Sequence, residues 1–396
     1  MDDKEALTIG QQLMRIRKAR GKSQRVLAGL SGISRTTLSR IESGKRALDK
    51  RSEVVALANA LQIAPYELTR QPEPTPGNGE GAAVKAVRRA LIAVGRDDPA
   101  GQVVPVQVLR GRVQALTGAQ RECRHEQVGH DLPELIRDLH TTLAVGQDVG
   151  HLLTVAVLLH VQGTHGWLSH LGASPDLGWQ AALLARHAAR EHGGAELLGL
   201  AAFGAANGLL AAGEFTEARA ELNSVTVPTN SPESMALAGM LALSQSLLAA
   251  ADTQSGDVDA PLDYAAELGA RTGESNAYQM GFGPTNIGVW RMAVALETHD
   301  YTQAASIAER LRPELLPAAT RQAAYWADYG RALARLRGRH DDAVRALRRA
   351  ELISPARVQR HPFTRDVLTE LLPRTHRDSP AGRELRRMAY RAGLPV

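Results

Sequence analysis

Apolar residues recur three and four apart along almost the whole of this chain, and nowhere do they alternate with polar ones as a strand requires. The periods are short at first. After Thr8, a fitting N-cap, Ile9, Leu13 and Ile16 keep helical spacing. Ser23 caps a second helix, Gln24 to Leu30, which turns Leu27 and Ala28 inward. Gly32 stands where the chain must reverse, a position that favours a residue able to take positive φ. Ile33 then re-enters the core, Ser34 caps a third helix, and Leu38 and Ile41 share its inner face. Val54, Leu57, Ala58 and Leu61 mark a fourth helix, and Pro65-Tyr66-Glu67-Leu68 reads as a last short turn. Five small helices in roughly 70 residues make a compact module.

Residues 71–81, QPEPTPGNGEG, break the pattern and read as a linker, stiff where the prolines lie and flexible where the glycines follow, so that the module can adjust its position. From Ala82 the helical period resumes and holds nearly to the end. Val84, Val87, Leu91 and Ile92 mark one amphipathic helix, Val104–Leu116 a second, and Leu132–Leu143 a third. A repeat then appears. Gly213-Glu-Phe215-Thr-Glu-Ala218, His299-Asp-Tyr301-Thr-Gln-Ala304 and Gly338-Arg-His340-Asp-Asp-Ala343 share one layout: a turn, an aromatic or histidine two residues on, and an alanine three after that. Gly178-Trp179-Gln-Ala-Ala182 is a looser copy, and a further one is expected near Leu262 and Ala265. Ala350 and Pro355 fall where the last repeat should pack and stop. Helix pairs at this period stack into a solenoid. The expected fold is therefore all-α, with a small module over 1–70, a linker over 71–81 and a helical repeat domain over 82–396.

Charge sharpens the division. Residues 1–70 hold 14 Lys or Arg against 7 Asp or Glu, whereas the remainder holds 33 against 35. The basic excess thus belongs to the small module, as a footprint for phosphate would. With Cys123 as the only cysteine, disulfide frameworks and thiolate zinc sites within one chain are excluded. The N-terminus has no apolar signal core and no long uncharged apolar stretch is evident, so a cytoplasmic protein is expected.

The third helix carries the candidate chemistry. With Leu38 and Ile41 inward, Arg35, Thr36, Ser39 and Arg40 face out, with Thr37 near the edge. Arginine forks pair with guanine edges and hydroxyls reach bases or phosphates, which suits a helix lying in a DNA major groove. Lys45 and Arg46 just beyond it and Gln24 at the start of the preceding helix are expected on the phosphates, and Ser34 at the cap is also counted among the DNA-binding residues. The set Gln24, Leu27-Ala28, Gly32, Ile33-Ser34, Leu38-Ser39, Ile41-Glu42 and Gly44 closely resembles the lambda-repressor or Xre helix-turn-helix family. Phe282-Gly-Pro-Thr-Asn286, the run from Asp342 to Val358, and the tail from His361 through Arg383-Glu-Leu-Arg-Arg-Met-Ala resemble actinobacterial Xre-type regulators with tetratricopeptide-like C-terminal regions. The resemblance implies a head that binds operator DNA and helical repeats that dimerise and sense a signal. It also implies that Glu42 pairs with a basic residue of the first helix, for which Arg15 or Arg17 could serve.

Other chemistry is weaker. His125 and His130 are five apart, about 140° around a helix, and do not share a face as zinc-protease histidines four apart do. Cys123, beside Arg121, Arg124 and His125, invites a redox reading through a lowered thiol pKa, although a lone cysteine is more often inert. No nucleophile–base–acid set stands out, so no enzyme, metal or cofactor is expected.

The expected function is sequence-specific transcription regulation by a homodimer on an inverted-repeat operator, controlled by a small molecule or peptide. The alternative is a repeat scaffold for a protein partner, with DNA binding serving to localise it. A ligand pocket is expected on the concave wall from Phe203, Asn207, Asn286, Tyr325 and Asp328, joined by Phe282, Thr285 and Trp290. Gly281 and Gly283-Pro284 should leave the first amides of the following helix open to a polar ligand group.

Overall fold

The computed structural model describes residues 8–69, 79–253 and 257–396, and everything regular in them is helical. The small module is formed by α1 (Ile9–Ala19), α2 (Gln24–Ser31), α3 (Arg35–Glu42), α4 (Arg51–Leu61) and α5 (Pro65–Thr69). Its helix starts are where hydroxyls can cap them. Thr8 accepts from the Gln11 amide in a reciprocal box, Ser23 from Val26 and Ser34 from Thr37. Gly32 takes φ +70° and ends α2. Leu13, Leu27, Leu38, Ile41, Leu57 and Leu61 fill the core. α1 crosses α3 so closely that a Cβ on Gly10 would lie 2.1 Å from the Ile41 carbonyl oxygen.

The helical domain runs through α6 (Gly79–Gly95), α7 (Val106–Arg121), α8 (His125–Ala144) and α9 (Val149–Leu158). A π turn over Leu159–His165 joins α9 to α10 (Gly166–His170), followed by α11 (Pro175–His192), α12 (Ala195–Ala212), α13 (Phe215–Asn223), α14 (Pro232–Ala251) and α15 (Asp259–Thr272). Then come α16 (Pro284–Glu297), α17 (Tyr301–Arg310), α18 (Ala319–Ala334), α19 (His340–Ile353), α20 (Pro355–Gln359), α21 (Pro362–Leu371) and α22 (Pro380–Arg391). Residues 71–78 of the expected linker lie outside the described residues, and its last three belong to α6. α8 begins two turns earlier than expected, because Pro133, which suggests a helix start, is instead carried inside it.

The repeat is visible as stacked pairs. α12, α14, α16 and α18 pack in succession as one row, and α13, α15, α17 and α19 each pair with the helix before them. Phe215, Tyr301 and His340 are the first residues of second helices, and Ala218, Ala304 and Ala343 are fully buried where the paired helices cross. Ala265, expected for the missing copy, is likewise fully buried, although α15 starts three residues before Leu262. The Trp179 copy does not hold: Gly178 lies within α11, not in a turn. Ala350 is fully buried and Pro355 opens the short α20. α12 and α14 are each long and apolar enough to cross a membrane by length and composition, although no such stretch was expected; in the fold α14 is packed almost entirely inside the row.

The module is not merely tethered. Asp366 of α21 accepts from the amides of Ile9 (3.0 Å) and Leu48 (2.9 Å), and Glu370 accepts from Ala47 (2.8 Å). Arg331 donates to the Asp49 carbonyl (2.9 Å), and Arg335 joins the carboxylates of Asp49 (2.8 Å) and Glu370 (2.5 Å). Glu297 takes both the amide and the guanidinium of Arg51. Phe363 completes the module's own apolar core, beneath the guanidiniums of Arg331 and Arg51. In place of the expected freedom to adjust, the head is seated on the helical domain by buried ion pairs and a shared core.

Candidate nucleic-acid interface

The orientation of α3 follows from its two anchors. Leu38 and Ile41 are 0% and 1% exposed, which leaves Arg35, Thr36, Ser39 and Arg40 exposed on the opposite side. Among the described residues, neither Arg35 nor Arg40 has a carboxylate partner, so both guanidiniums are available. Thr37 is half-buried, and its hydroxyl accepts from Ser34 Oγ at 2.9 Å, so both serve the cap in this state. The seat of the head involves the start of α1 and the turn from 44 to 51, leaving this outer face of α3 uncovered.

Behind α3, Glu42 is buried and gripped at both oxygens. Arg17 supplies Nε at 2.5 Å and Nη2 at 2.9 Å, and Gln24 Nε2 adds a third bond at 2.8 Å. This bidentate pairing raises the Arg17 pKa further, its hydrogen bond to Glu42 being the main cause. One carboxylate thereby locks α1, α2 and α3 together, and of the two arginines considered Arg17 holds it. The same bond engages the Gln24 amide, expected on phosphate, while Arg46 pairs with Glu53 at 2.7 Å. Lys45 remains exposed.

The expected ligand residues divide. Phe203 and Trp290 bring their rings to 6.5 Å, and Asn286, fully buried, receives Arg321 Nε (3.1 Å) and Nη2 (2.7 Å) on its side-chain oxygen. The Arg321 guanidinium also lies 5.6 Å over Trp290, whose buried Nε1 has no partner among the described residues. Asn207 is tied to the Phe203 carbonyl and the Ser244 hydroxyl. Phe282 fills the space left by Gly239, and Tyr325 turns its hydroxyl to the Ala308 carbonyl beside Trp326 and Tyr329. Asp328 pairs with Arg331 at 2.8 Å. The amide of Thr285 is not open to a ligand, because the Glu274 carboxylate accepts it at 2.9 Å. Arg321 was missed: in a chain so rich in arginine, spacing alone gave no reason to single it out. Desolvation pushes its pKa down to about 10.

His125 is buried and His130 exposed on α8. Burial raises the Cys123 thiol rather than lowering it, partly offset by Ser354, so the neighbouring basic residues do not activate it.

Two capped helices around a left-handed glycine, with a buried clamp behind and free arginines in front, reproduce a groove-reading pair. Residues 8–71 match the family model of the helix-turn-helix domain. The head is a helix-turn-helix domain. It is 47% identical over 58 residues to the uncharacterised HTH-type transcriptional regulator RghRB of Bacillus subtilis, and 43% identical over 60 residues to the HTH-type transcriptional repressor RghR of the same organism. Each alignment covers 15% of this chain and 41% or 44% of the relative, so the chain spans less than half the length of the curated relatives it matches. No solved structure matches it.

Proposed function

We propose that this chain is a cytoplasmic, sequence-specific DNA-binding transcription regulator that acts as a homodimer on an inverted repeat. The observation that carries the reading is the uncovered α3 face, where Arg35, Thr36, Ser39 and Arg40 stand outward on a helix anchored by Leu38 and Ile41. One head spans too few base pairs for tight specific binding at physiological salt, whereas two heads on a two-fold axis read half-sites a helical turn apart. A head seated by buried ion pairs takes its spacing from the helical domain. Lys45 adds phosphate attraction, and Gln24, Ser34, Thr37 and Arg46 reach the backbone only where DNA competes for their present partners.

In the same reading the helical domain is a tetratricopeptide-like sensor. Phe203, Asn286, Trp290 and Arg321 support it, since an aromatic pair beside a desolvated cation suits a small molecule with a polar handle. Genome-wide mapping of binding sites, followed by footprinting of a recovered site, tests the DNA reading. Paired protections related by a dyad are expected, and sites occupied by a single protomer without symmetry would overturn the dimer.

A further inference from the structure

α18 packs not only on α16 and α20 but also on α7, from the far end of the helical domain, so the stack closes around an interior. Arg321 stands in the first turn of α18 and Arg357 in α20. The surrounding helices desolvate both guanidiniums, yet Arg357 keeps 22% of its side chain accessible and Arg321 is only half-buried. Enclosed side chains that keep access border interior space.

Neither guanidinium has a full counter-charge. Arg321 gives Nε and Nη2 to the neutral side-chain oxygen of Asn286, and among the described residues no carboxylate pairs with it. The Arg357 guanidinium donates no hydrogen bond among the described residues, and its buried Nε has no partner there. The acid within its reach, Asp328, is 3.7 Å away and already held by Arg331 at 2.8 Å. Burial and then Arg357 lower the Arg321 pKa, burial lowers that of Arg357, and Asp328 opposes both shifts. Nearby, His170 is pushed down to about 4, chiefly by burial and further by Arg357 and Arg321, so its ring stays neutral. A desolvated guanidinium without an anion is costly, and an anion that completes the pair removes the cost.

The wall beside Arg321 is aromatic. Its guanidinium lies 5.6 Å over Trp290, whose ring is 6.5 Å from that of Phe203. The buried Trp290 Nε1, unpartnered among the described residues, is one more donor.

We propose that this interior binds an organic oxyanion, a carboxylate or phosphate ester carried on one planar ring, with the anionic group at Arg321 and Arg357 and the ring against Trp290 and Phe203. The inference rests on the sensor reading above and gives its ligand a charge and a shape. Asn286 is a positioning residue: it takes two of the five donors of Arg321, holds the fork over Trp290 and leaves the others for the anion. An anion on Arg357 also leaves Asp328 to Arg331, and Arg331 reaches the head through the Asp49 carbonyl. Occupancy thereby has a route to the seat of the head.

The test titrates the full chain by calorimetry with phenylacetate, phenyl phosphate and the neutral 2-phenylethanol. One site per chain is expected for at least one of the two anions, and the pair tells carboxylate from phosphate. The alcohol should bind at least about tenfold more weakly. Arg357→Gln should cost the anion about tenfold and leave the alcohol within about twofold, and Arg321→Gln does the same if the first variant fails to fold. A merely structural arginine would lower the melting temperature of the free protein when removed. Arg357→Gln is instead expected to leave it unchanged or raised, while abolishing the rise that the anion gives the wild type. The oxyanion site is overturned if neither anion binds at roughly 10 mM, a concentration that fills even a millimolar site. It is also overturned if both variants keep the preference for the anion, or if the alcohol binds as tightly as the anions, which would leave a sensor of neutral molecules standing. Failure of the sensor reading looks different: an anion bound with all these marks that leaves operator affinity unchanged in a gel shift removes the regulation and keeps the site.

Discussion

The guanidinium of Arg335, the residue that caps the C-terminus of α18, lies 2.8 Å from the carboxylate of Asp49, in the turn that follows α3. Both side chains are almost wholly buried, and Glu370 completes the set at 2.5 Å from the same guanidinium. A buried pair of this kind fixes geometry more surely than it adds stability, because desolvation offsets most of the attraction. Breaking it from one side is a different matter. Arg335→Ala would leave the buried Asp49 carboxylate without its ion pair and Glu370 with Arg374 alone, and is expected to cost about 3–5 kcal/mol. The loss should fall on the seat of the head. Faster amide exchange in residues 44–51, with α1–α3 still protected, is the expected result; uniform loss of protection would place the damage elsewhere.

Docking of the head is expected to weaken as pH rises. The Asp366 carboxyl, wholly enclosed, is pushed up to about 7, chiefly by burial and secondarily by Asp49, against the pull of the Ile9 and Leu48 amides and Arg335. A seated head therefore keeps a proton that a released one gives up above the ordinary carboxyl range, near 4. The contribution is full below about 4 and is lost progressively as pH climbs through 7. Amide exchange at Ile9 and Leu48, corrected for intrinsic rates, should report this loss between pH 6 and 8. Asp366→Asn cannot ionise and should flatten the profile; an unchanged profile would exclude Asp366 as its source.

Acid acts in the opposite sense on the helical domain. His140 and His160 meet at 2.9 Å between their Nε2 atoms, where burial lowers both, His140 to about 4. One ring must donate and the other accept, so both cannot be charged at once, and burial favours the neutral form of each. The unfolded chain protonates both near 6.5, so their contribution holds above that pH and is lost as pH falls toward 4. Urea midpoints should drop between pH 7 and 5, and less so in a His140→Gln variant, whose amide can keep the bond to a single remaining imidazole.

The head was legible almost residue by residue because caps, turn glycine and inner faces are local features. Thr8, Ser23, Gly32, Ser34, Leu38 and Ile41 all stand where the pattern placed them. The repeat was legible through Ala218, Ala304 and Ala343, which must be small where helices cross. What could not be read was anything that joins residues far apart in sequence. Nothing local marks Asp366 as the partner of Ile9, 357 residues away, or picks out Arg321 for Asn286. The turn glycines had a local reading and Gly10 had none, because the Ile41 carbonyl that forbids a side chain there comes from another helix. Gly10→Ala is accordingly expected to destabilise the head by about 1–3 kcal/mol, as overpacking does, visible as a lower urea midpoint with an unchanged slope.

Arg35 and Arg40 should separate in what they lose. Arg35 opens α3, where a recognition helix enters the groove, and among the described residues no carboxylate competes for its guanidinium, so a base edge is its expected contact. Arg35→Ala should cost about 1–3 kcal/mol on the preferred site and relax selectivity at one base pair. Arg40 lies in the last turn, where either a base or a phosphate is within reach. On phosphate, Arg40→Ala would weaken all sequences alike and flatten the salt slope by about one unit. Gel shifts on the mapped site and on scrambled DNA at several salt concentrations distinguish the two patterns. Unfolding is not expected in either variant, because neither side chain enters the core that Leu38 and Ile41 anchor. Unchanged affinity in both variants would remove the recognition role from α3.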